Sequence, residues 1–246
     1  MPAHRFLLPA VAISLLGAAA IAAPAGAATA TMTPKAQVAS SLATANQQQS
    51  VHYNATSKAG NQSIVLSADA GTTTGQQIVV VKKGKTTGHM VARYVNSGVY
   101  FKGDVYGLEA YLGMPASLAP TYSGKWIVFT SADSDYAQIA RALTITAAVS
   151  QVSMTGPFTS GPSSTVAGKA ATAVQGYTAT LSSKGKKGPA TVYIDTAKNL
   201  PIKFTGAGTE SGKKTSGLVS YSKWNEPISL ATPTGAIPAS SITASS

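Results

Sequence analysis

The sequence Thr191-Val-Tyr-Ile-Asp195, followed by Leu200-Pro-Ile-Lys-Phe204 and Leu218-Val-Ser-Tyr-Ser-Lys-Trp224-Asn-Glu-Pro227, decides the fold. Apolar and polar residues alternate in all three runs, and one side of each run carries the apolar residues: Ala190, Val192 and Ile194, then Ile202 and Phe204, then Val219 and Tyr221. A period of two residues is the signature of a half-buried β-strand. Glycines between the second and third runs mark a turn or bulge. The stretch predicts three successive strands of one antiparallel sheet.

The first half of the chain repeats this pattern after an opening helix. Thr33 can cap a helix that starts at Pro34 and runs within 32–49. Five β-rich segments follow at 51–56, 63–68, 77–82, 88–95 and 98–102, and glycine-bearing breaks separate them. Strands joined by short turns predict an antiparallel meander.

The middle of the chain changes to a helical period. Val105, Leu108 and Leu112 share a helix face, and a strand at 125–130 precedes a second helix that Ser134 can cap and that extends to about residue 152. The Gly/Pro/Ser/Thr-rich segment 155–164 reads as a loop. We therefore predict an α+β fold, with a large curved antiparallel sheet, a half-barrel, and helices packed on its concave face.

The two ends of the chain differ from the body in composition. Residues 1–30 combine a basic start, the apolar run Leu7–Ala23 and small residues suited to cleavage, which predicts a secretory signal peptide. A membrane anchor is the alternative, but the run is short and contains a proline. We expect one domain over 31–235 and a loosely ordered tail over 236–246. The protein is expected to be secreted, extracytoplasmic in the cell envelope, and soluble after signal cleavage.

Charge and cysteine content narrow the class of partner. The chain has no cysteine, and its formal net charge of +11 reflects 19 basic against only 8 acidic residues. Lysines cluster beside glycines at 82–85, 184–187 and 213–214, which favours solvated hairpin tips. The alternative is that these lysines bind an anionic membrane surface or a cell-wall polymer. Nucleic acid is disfavoured because no aromatic residues interleave with the lysines.

No motif indicates catalysis or a bound cofactor. Beyond the signal segment the only histidines are His52 and His89, each within a predicted strand, and no nucleophile elbow of the Gly-x-Ser-x-Gly type occurs. With no cysteine, a zinc site would need distant carboxylates. We expect no enzyme, no metal and no cofactor. A hydrolase would need a Ser or Asp constellation to converge in space, such as Asp133 or Asp195 near His52 or His89.

Short motifs along most of the chain resemble the LppX/LprG family of exported lipoproteins, which has the LolA/LolB-like fold. The matching pieces occur in family order: Gly98-Val-Tyr-Phe101, Leu108–Leu112, Tyr122-Ser-Gly-Lys-Trp126-Ile127, Asp135-Tyr-Ala-Gln-Ile-Ala140, Thr165-Val-Ala-Gly168, Val192–Asp195 with Leu200-Pro-Ile202, Tyr221–Ile228, and Thr232–Gly235. The resemblance implies an antiparallel half-barrel closed by helices around an apolar cavity for lipids. The family's lipid-anchoring cysteine is missing here.

This resemblance implies a carrier for a lipid or another hydrophobic small molecule, which we expect to be monomeric. The candidate cavity residues are apolar or aromatic side chains from the predicted strands and helices: Met90, Ala92, Tyr94, Tyr100, Leu108, Leu112, Trp126, Ile139, Leu143, Ile202 and Phe204. The same stripes could simply fill a core. The alternative is therefore an envelope-associated binding or scaffold module with a filled core and no ligand.

Overall fold

The computed structural model describes residues 32–179 and 185–242. The helices are α1 (Pro34–Asn46), α2 (Val105–Leu112), α3 (Ala119–Tyr122), α4 (Tyr136–Ala142) and α5 (Ile145–Ser150). The strands are β1 (Ser50–Ala59), β2 (Gln62–Gly71), β3 (Gly75–Lys83), β4 (Thr86–Val95), β5 (Gly98–Gly103), β6 (Ile127–Phe129), β7 (Met154–Val166), β8 (Lys169–Thr178), β9 (Lys186–Asp195), β10 (Pro201–Glu210), β11 (Lys213–Ser222) and β12 (Ile237–Pro238). The predicted signal peptide, 1–30, lies outside the described residues.

All twelve strands form one sheet in the order β12-β6-β5-β4-β3-β2-β1-β11-β10-β9-β8-β7. Neighbouring strands are antiparallel, except that β12 pairs with β6 in parallel. Two meanders, β1–β6 and β7–β11, are joined where β1 pairs with β11. The predicted α+β fold with a large curved antiparallel sheet is confirmed, and the helices lie on its concave face.

The alternating stretch that opens the sequence forms three of these strands as predicted. Val192, Ile194, Phe204 and Val219 are buried on the concave face. The Tyr221 hydroxyl donates a hydrogen bond of 2.9 Å to the Ala148 carbonyl of α5. One inward side chain therefore fixes a helix to the sheet as well as filling the core.

The core on the concave face is divided into two clusters. The first cluster packs α1 and α5 against β1, β2 and β8–β11. The second cluster packs α2, α3 and α4 against β3–β6. Helix α1 begins as predicted, with the Thr33 hydroxyl accepting from Ala36 N at 3.3 Å and Pro34 in the first turn. The boundary between the clusters therefore falls within the first meander: α1 and α5 cover β1 and β2, and α2–α4 cover β3–β6.

The helix predicted from Ser134 to about residue 152 is wrong in two respects. Its N-cap is Asp135, without a side-chain capping bond, and the helix breaks between α4 and α5. At the break Thr144 bridges to Gly71, and a Cβ on Gly75 would overlap the Leu143 carbonyl. The chain presses directly onto the sheet there, and that contact interrupts the helical hydrogen bonds.

The loop predicted at 155–164 is also wrong, because this segment lies within β7. The strand pairs with β8 through two register shifts, between Thr155 and Thr159 and between Ser160 and Ser163. It is the edge strand of the sheet. Pro157 and Pro162 have no backbone N–H to donate. An edge strand tolerates this because only one of its two sides pairs with another strand.

The segment predicted as a tail, 236–246, begins with the short strand β12. Ile237 N donates to the Trp126 carbonyl at 2.8 Å, and residues 239–241 form a 3-10 turn. Residues 243–246 lie outside the described part of the chain. Across residues 32–179 and 185–242, none of the helices combines the length and hydrophobicity needed to cross a bilayer.

Candidate binding cleft

Seven of the eleven candidate cavity residues lie together in the second cluster. They are Met90, Ala92, Tyr94, Leu108, Leu112, Ile139 and Leu143. All except Tyr94 are at most 3% exposed. Side chains fill the space between α2–α4 and the sheet at this point.

Glycines explain why this half of the concave face is closely covered. A Cβ on Gly107 of α2 would overlap the His89 carbonyl of β4, and a Cβ on Gly88 would lie 2.5 Å from Gly107 N. The backbones of α2 and β4 therefore touch directly. Such close contact leaves little room for a ligand beneath α2.

Asp104 fixes the start of α2 in this position. Its Oδ1 accepts from Gly107 N at 2.7 Å, and its Oδ2 accepts from His89 N at 2.9 Å and lies 2.9 Å from His89 Nδ1. Partial burial alone would raise the pKa of Asp104, but these hydrogen bonds outweigh it and the pKa is lowered. Asp104 is therefore a helix cap and a link to β4.

Tyr100 and Trp126 lie on the opposite, convex face of the sheet. Their neighbours Val99, Phe101 and Ile127 point into the second cluster, and successive residues of a strand alternate between faces. The Trp126 ring has the Arg93 guanidinium carbon 5.3 Å and the Lys102 ammonium 5.9 Å from its centroid. These two candidates are thus separated from the others by the thickness of the sheet.

The remaining candidates, Ile202 and Phe204, lie in β10 of the other meander. Both are buried, and Phe204 lines a cleft of about 190 Å³ on the concave face. Glycines 206, 208 and 217 lie at the same cleft, whose other lining residues include Thr178, Lys186, Glu210 and Thr215. None of the described residues that line the cleft belongs to a helix.

The cleft exists because inward-facing positions there have no side chain. Gly206 and Gly217 are paired across β10 and β11, in phase with the inward residues Phe204 and Val219. A Cβ on Gly217 would meet only the Thr56 carbonyl, at 3.7 Å. The floor of the cleft is consequently bare backbone at Gly217, whereas the Thr178 methyl group packs onto Gly206, where a Cβ would lie 2.6 Å from Thr178 Cγ2. The Phe204 ring also lines the cleft.

Thr178 and a bulge in β10 shape the opposite wall. The ladder between β9 and β10 shifts register between Gly206 and Gly208. The Thr178 hydroxyl donates to the Ala207 carbonyl at 3.0 Å and accepts from Gly188 N at 3.2 Å. These bonds satisfy backbone groups that the bulge would otherwise leave open.

The sequence analysis did not identify the glycines or Thr178 as part of a site. The signal was present, because Gly206 and Gly208 continue the alternation that begins at Ile202 and Phe204. An inward-phase position occupied by glycine indicates either a close backbone approach or a gap. Only the structure distinguishes the two: Gly88 is a close approach, and Gly217 is a gap.

A buried polar network lies where the two clusters meet. Gln77 Nε2 donates to the Tyr53 hydroxyl at 3.2 Å and to the Ala142 carbonyl at 3.0 Å, while the Tyr111 hydroxyl donates to Gln77 Oε1 at 2.8 Å. Burial raises the pKa of Tyr111 to about 12 and raises the pKa of Tyr53 further. These hydroxyls stay protonated at neutral pH; the Tyr111 hydroxyl donates to Gln77 and the Tyr53 hydroxyl accepts from it.

A second depression, of about 460 Å³, lies at the other end of the sheet. Thr73, Thr74, Asn96 and Ser97 supply polar lining, and the segment 228–230 forms one side. Asn96 Nδ2 donates to Thr232 Oγ1 at 2.8 Å, so the C-terminal segment is tied across this end. Its polar lining does not suit an apolar ligand.

The described histidines pair with aspartates other than Asp133 and Asp195, the two examples given for a hydrolase. His52 Nδ1 lies 2.8 Å from Asp69 Oδ1, and His89 pairs with Asp104. Asp133 Oδ2 instead accepts from Thr130 N at 2.8 Å. Asp195 Oδ1 accepts from backbone N–H groups of the turn that follows β9. Among the described residues, neither Asp133 nor Asp195 therefore pairs with a histidine.

Comparisons with known proteins give likeness in structure only. No family model and no curated protein matches the chain. LprF from Mycobacterium bovis aligns over 82% of this chain and 99% of its own, with 16% identity and a TM-score of 0.51. Lipoprotein LppX from Mycobacterium tuberculosis aligns over 80% of this chain and 98% of its own, with 15% identity and a TM-score of 0.49. The first likeness shows that the chain shares the LprF fold, so the resemblance to the LppX/LprG family is confirmed at the level of fold.

Proposed function

We propose that this protein, with the fold of LprF, binds the apolar part of a lipid or another hydrophobic molecule in the cleft beside Phe204. The observation that carries the proposal is Gly217 in the floor of the cleft, where a Cβ would meet only the Thr56 carbonyl, at 3.7 Å. The helices cover the two core clusters on the same face. An acyl chain laid on this floor would contact backbone carbons and the Phe204 ring.

The size of the cleft limits what it can hold. Its volume of about 190 Å³ is below the ~300–1,000 Å³ usual for pockets that enclose drug-sized ligands. A segment of one acyl chain fits this space better than a lipid with several chains. Burying about six methylenes would contribute roughly 5 kcal/mol, which corresponds to a dissociation constant on the order of 0.1 mM. Binding would therefore be weak and readily reversible, as hand-over requires.

The signal-peptide pattern of residues 1–30 supports an extracytoplasmic place of action. Lys186 at the edge of the cleft would favour an anionic head group over a neutral one. No catalytic step is part of this proposal. The protein would act by sheltering an apolar chain from water.

A scaffold module of the envelope, without a ligand, is the second candidate function. The second cluster favours it, because Leu108, Leu112 and Ile139 fill the space that a large lipid cavity would occupy. The two candidates differ in one observable property, which is uptake of an apolar ligand.

The test is binding of a fluorescent fatty acid and its displacement by an unlabelled C16 fatty acid. Gly217→Leu places a side chain into the gap above the floor, whereas Ser220→Leu adds the same side chain to the convex face of the same strand. We expect at least tenfold weaker binding for Gly217→Leu and unchanged binding for Ser220→Leu. Equal binding by both variants would refute the cleft as the site, and no uptake by the unaltered protein would support the scaffold.

A further inference from the structure

Three hairpin turns and the start of β9, at one end of the half-barrel, carry a concentration of lysines. In an antiparallel meander, alternate turns lie at the same end of the sheet. The turns β1–β2, β3–β4 and β10–β11 and the start of β9 share one end, which we call the basic end. The lysines of the basic end are Lys58, Lys82, Lys83, Lys85, Lys186, Lys187, Lys213 and Lys214, and all eight are exposed.

The turns at the opposite end of the sheet carry far less charge. The β2–β3 turn is Thr72-Thr73-Thr74, and the β4–β5 turn is Asn96-Ser97. Lys169 and Lys198 are the lysines of the described β7–β8 and β9–β10 turns, and Lys169 Nζ lies 3.9 Å from the buried carboxylate of Asp195. The lysines are therefore unevenly distributed between the two ends.

Acidic residues do not offset the charge of the basic end. Glu210 is the one carboxylate within its described turns and strand ends, against eight lysines. The turns also hold the tips close together: Gly60 N donates to the Lys214 carbonyl at 3.3 Å, and Gly84 N donates to the Asn61 carbonyl at 3.1 Å. The result is a continuous cationic surface built from several strands.

The cleft opens at this same end. Lys186 and Glu210 belong to the basic end and also line the cleft, with Gly208 and Thr215 beside them. An acyl chain that left a bilayer beneath the basic end would meet the glycine floor first. This geometry favours a lipid surface over a soluble polyanion as the partner, because only a lipid surface presents acyl chains.

We propose that the basic end is a docking surface for a bilayer that contains anionic phospholipids. A lysine near an anionic membrane surface contributes about 1 kcal/mol, so several exposed lysines suffice for reversible attachment. The attraction is electrostatic and should weaken as salt rises. The proposal of docking is based on the lysine distribution. A role of docking in lipid transfer rests in addition on the proposed function.

The first test is sedimentation with vesicles of phosphatidylcholine, with and without phosphatidylglycerol. Lys83, Lys85, Lys213 and Lys214 are changed together to Gln, and a charge-matched control changes the exposed residues Lys35, Arg141, Lys198 and Lys223 to Gln. At about 1 kcal/mol per lysine, the first variant should bind anionic vesicles roughly 1,000-fold more weakly. The control should lose less than tenfold. An equal loss in both variants, or binding that does not need the anionic lipid, would overturn the proposal.

The second test reports which end faces the bilayer. The chain has no cysteine, so single cysteines can carry an environment-sensitive fluorophore at Asn61→Cys in the basic end or at Thr73→Cys in the opposite end. Anionic vesicles should shift the emission to the blue for the label at 61 and leave the label at 73 unchanged. A shift at 73 alone, or capture by soluble polyphosphate without any vesicle binding, would contradict a membrane-docking end.

The docking and cargo proposals fail separately. The four-lysine variant should still bind the fluorescent fatty acid in solution, and Gly217→Leu should still sediment with anionic vesicles. If the unaltered protein takes up the fatty acid but does not bind anionic vesicles, only the docking proposal is refuted. If the unaltered protein binds anionic vesicles but does not take up the fatty acid, only the carrier proposal is refuted.

Discussion

Two glycine-to-alanine substitutions should change stability in opposite directions. The backbone of α2 lies directly against Gly88, whereas Gly217 borders empty space. A Cβ on Gly88 would lie 2.5 Å from Gly107 N, 2.8 Å from Tyr106 C and 2.9 Å from Tyr106 Cδ1. Real Cβ atoms essentially never come within 3.0 Å, so α2 would have to withdraw by at least half an ångström. Overpacking of this kind costs about 1–3 kcal/mol, and we expect the upper half of that range because two of the three atoms are backbone.

Gly217→Ala is the matched control in the same sheet. Its Cβ would meet only the Thr56 carbonyl at 3.7 Å. Removing the backbone freedom of a glycine where the new residue fits stabilises a protein by about 0.4–1 kcal/mol. The free energy of unfolding should therefore fall for Gly88→Ala and rise slightly for Gly217→Ala.

Thermal unfolding followed by circular dichroism measures both effects. For a domain of this size, each kcal/mol corresponds to about 2–4 °C in Tm. Gly88→Ala should lower Tm by about 4–12 °C, and Gly217→Ala should raise it by about 1–4 °C. A Gly88→Ala protein as stable as the unaltered chain would refute direct contact between α2 and β4. A comparable loss for Gly217→Ala would refute the open floor of the cleft.

Three further predictions concern polar groups. Gln77→Ala leaves the Ala142 carbonyl and the Tyr111 hydroxyl without their partner and should cost about 2–4 kcal/mol in urea unfolding. Gln76→Ala, on the convex face, loses a single hydrogen bond from Arg93 Nε and should cost about 1–2 kcal/mol. Burial raises the pKa of Tyr111 from 10.0 to about 12. Its contribution to the free energy of unfolding is therefore complete below pH 10 and is lost as pH rises toward 12. The urea midpoint should fall over that window, and it should fall less steeply for Tyr111→Phe. Asp104→Ala removes the α2 cap and should cost about 1–2 kcal/mol near neutral pH. Because the pKa of Asp104 is lowered from 3.8, this difference should shrink as pH falls below that value, which acid titration of the two proteins would check.

The strands could be predicted because their signal is local. The alternation from Val192 to Tyr221 depends on neighbouring residues alone, and the structure places its apolar phase inward. The break between α4 and α5 could not be predicted in the same way. It arises where Leu143 and Thr144 touch β2 and β3, far away in sequence. The β7 strand was missed because its proline and glycine content is typical of loops, and an edge position overrides that composition.

The candidate site was harder to predict than the fold. Hydrophobicity selects large side chains, and in this protein large side chains such as Leu108 and Ile139 fill the second cluster. Tyr100 and Trp126 have the opposite phase to Val99 and Phe101, which the sequence alone could have shown. The open part of the concave face is defined by glycines, and glycine gives no hydropathy signal. Only the distances around Gly217 show that it borders empty space.

Photo-crosslinking with a diazirine-bearing C16 fatty acid, followed by peptide mapping, tests the cleft most directly. The account predicts labels on β10 and β11 between Phe204 and Gly217, and loss of those labels in Gly217→Leu but not in Ser220→Leu. Labels on Leu108, Leu112 or Ile139 would instead mean that the second cluster opens to admit the ligand. Such labels would contradict the glycine-floored cleft as the binding site.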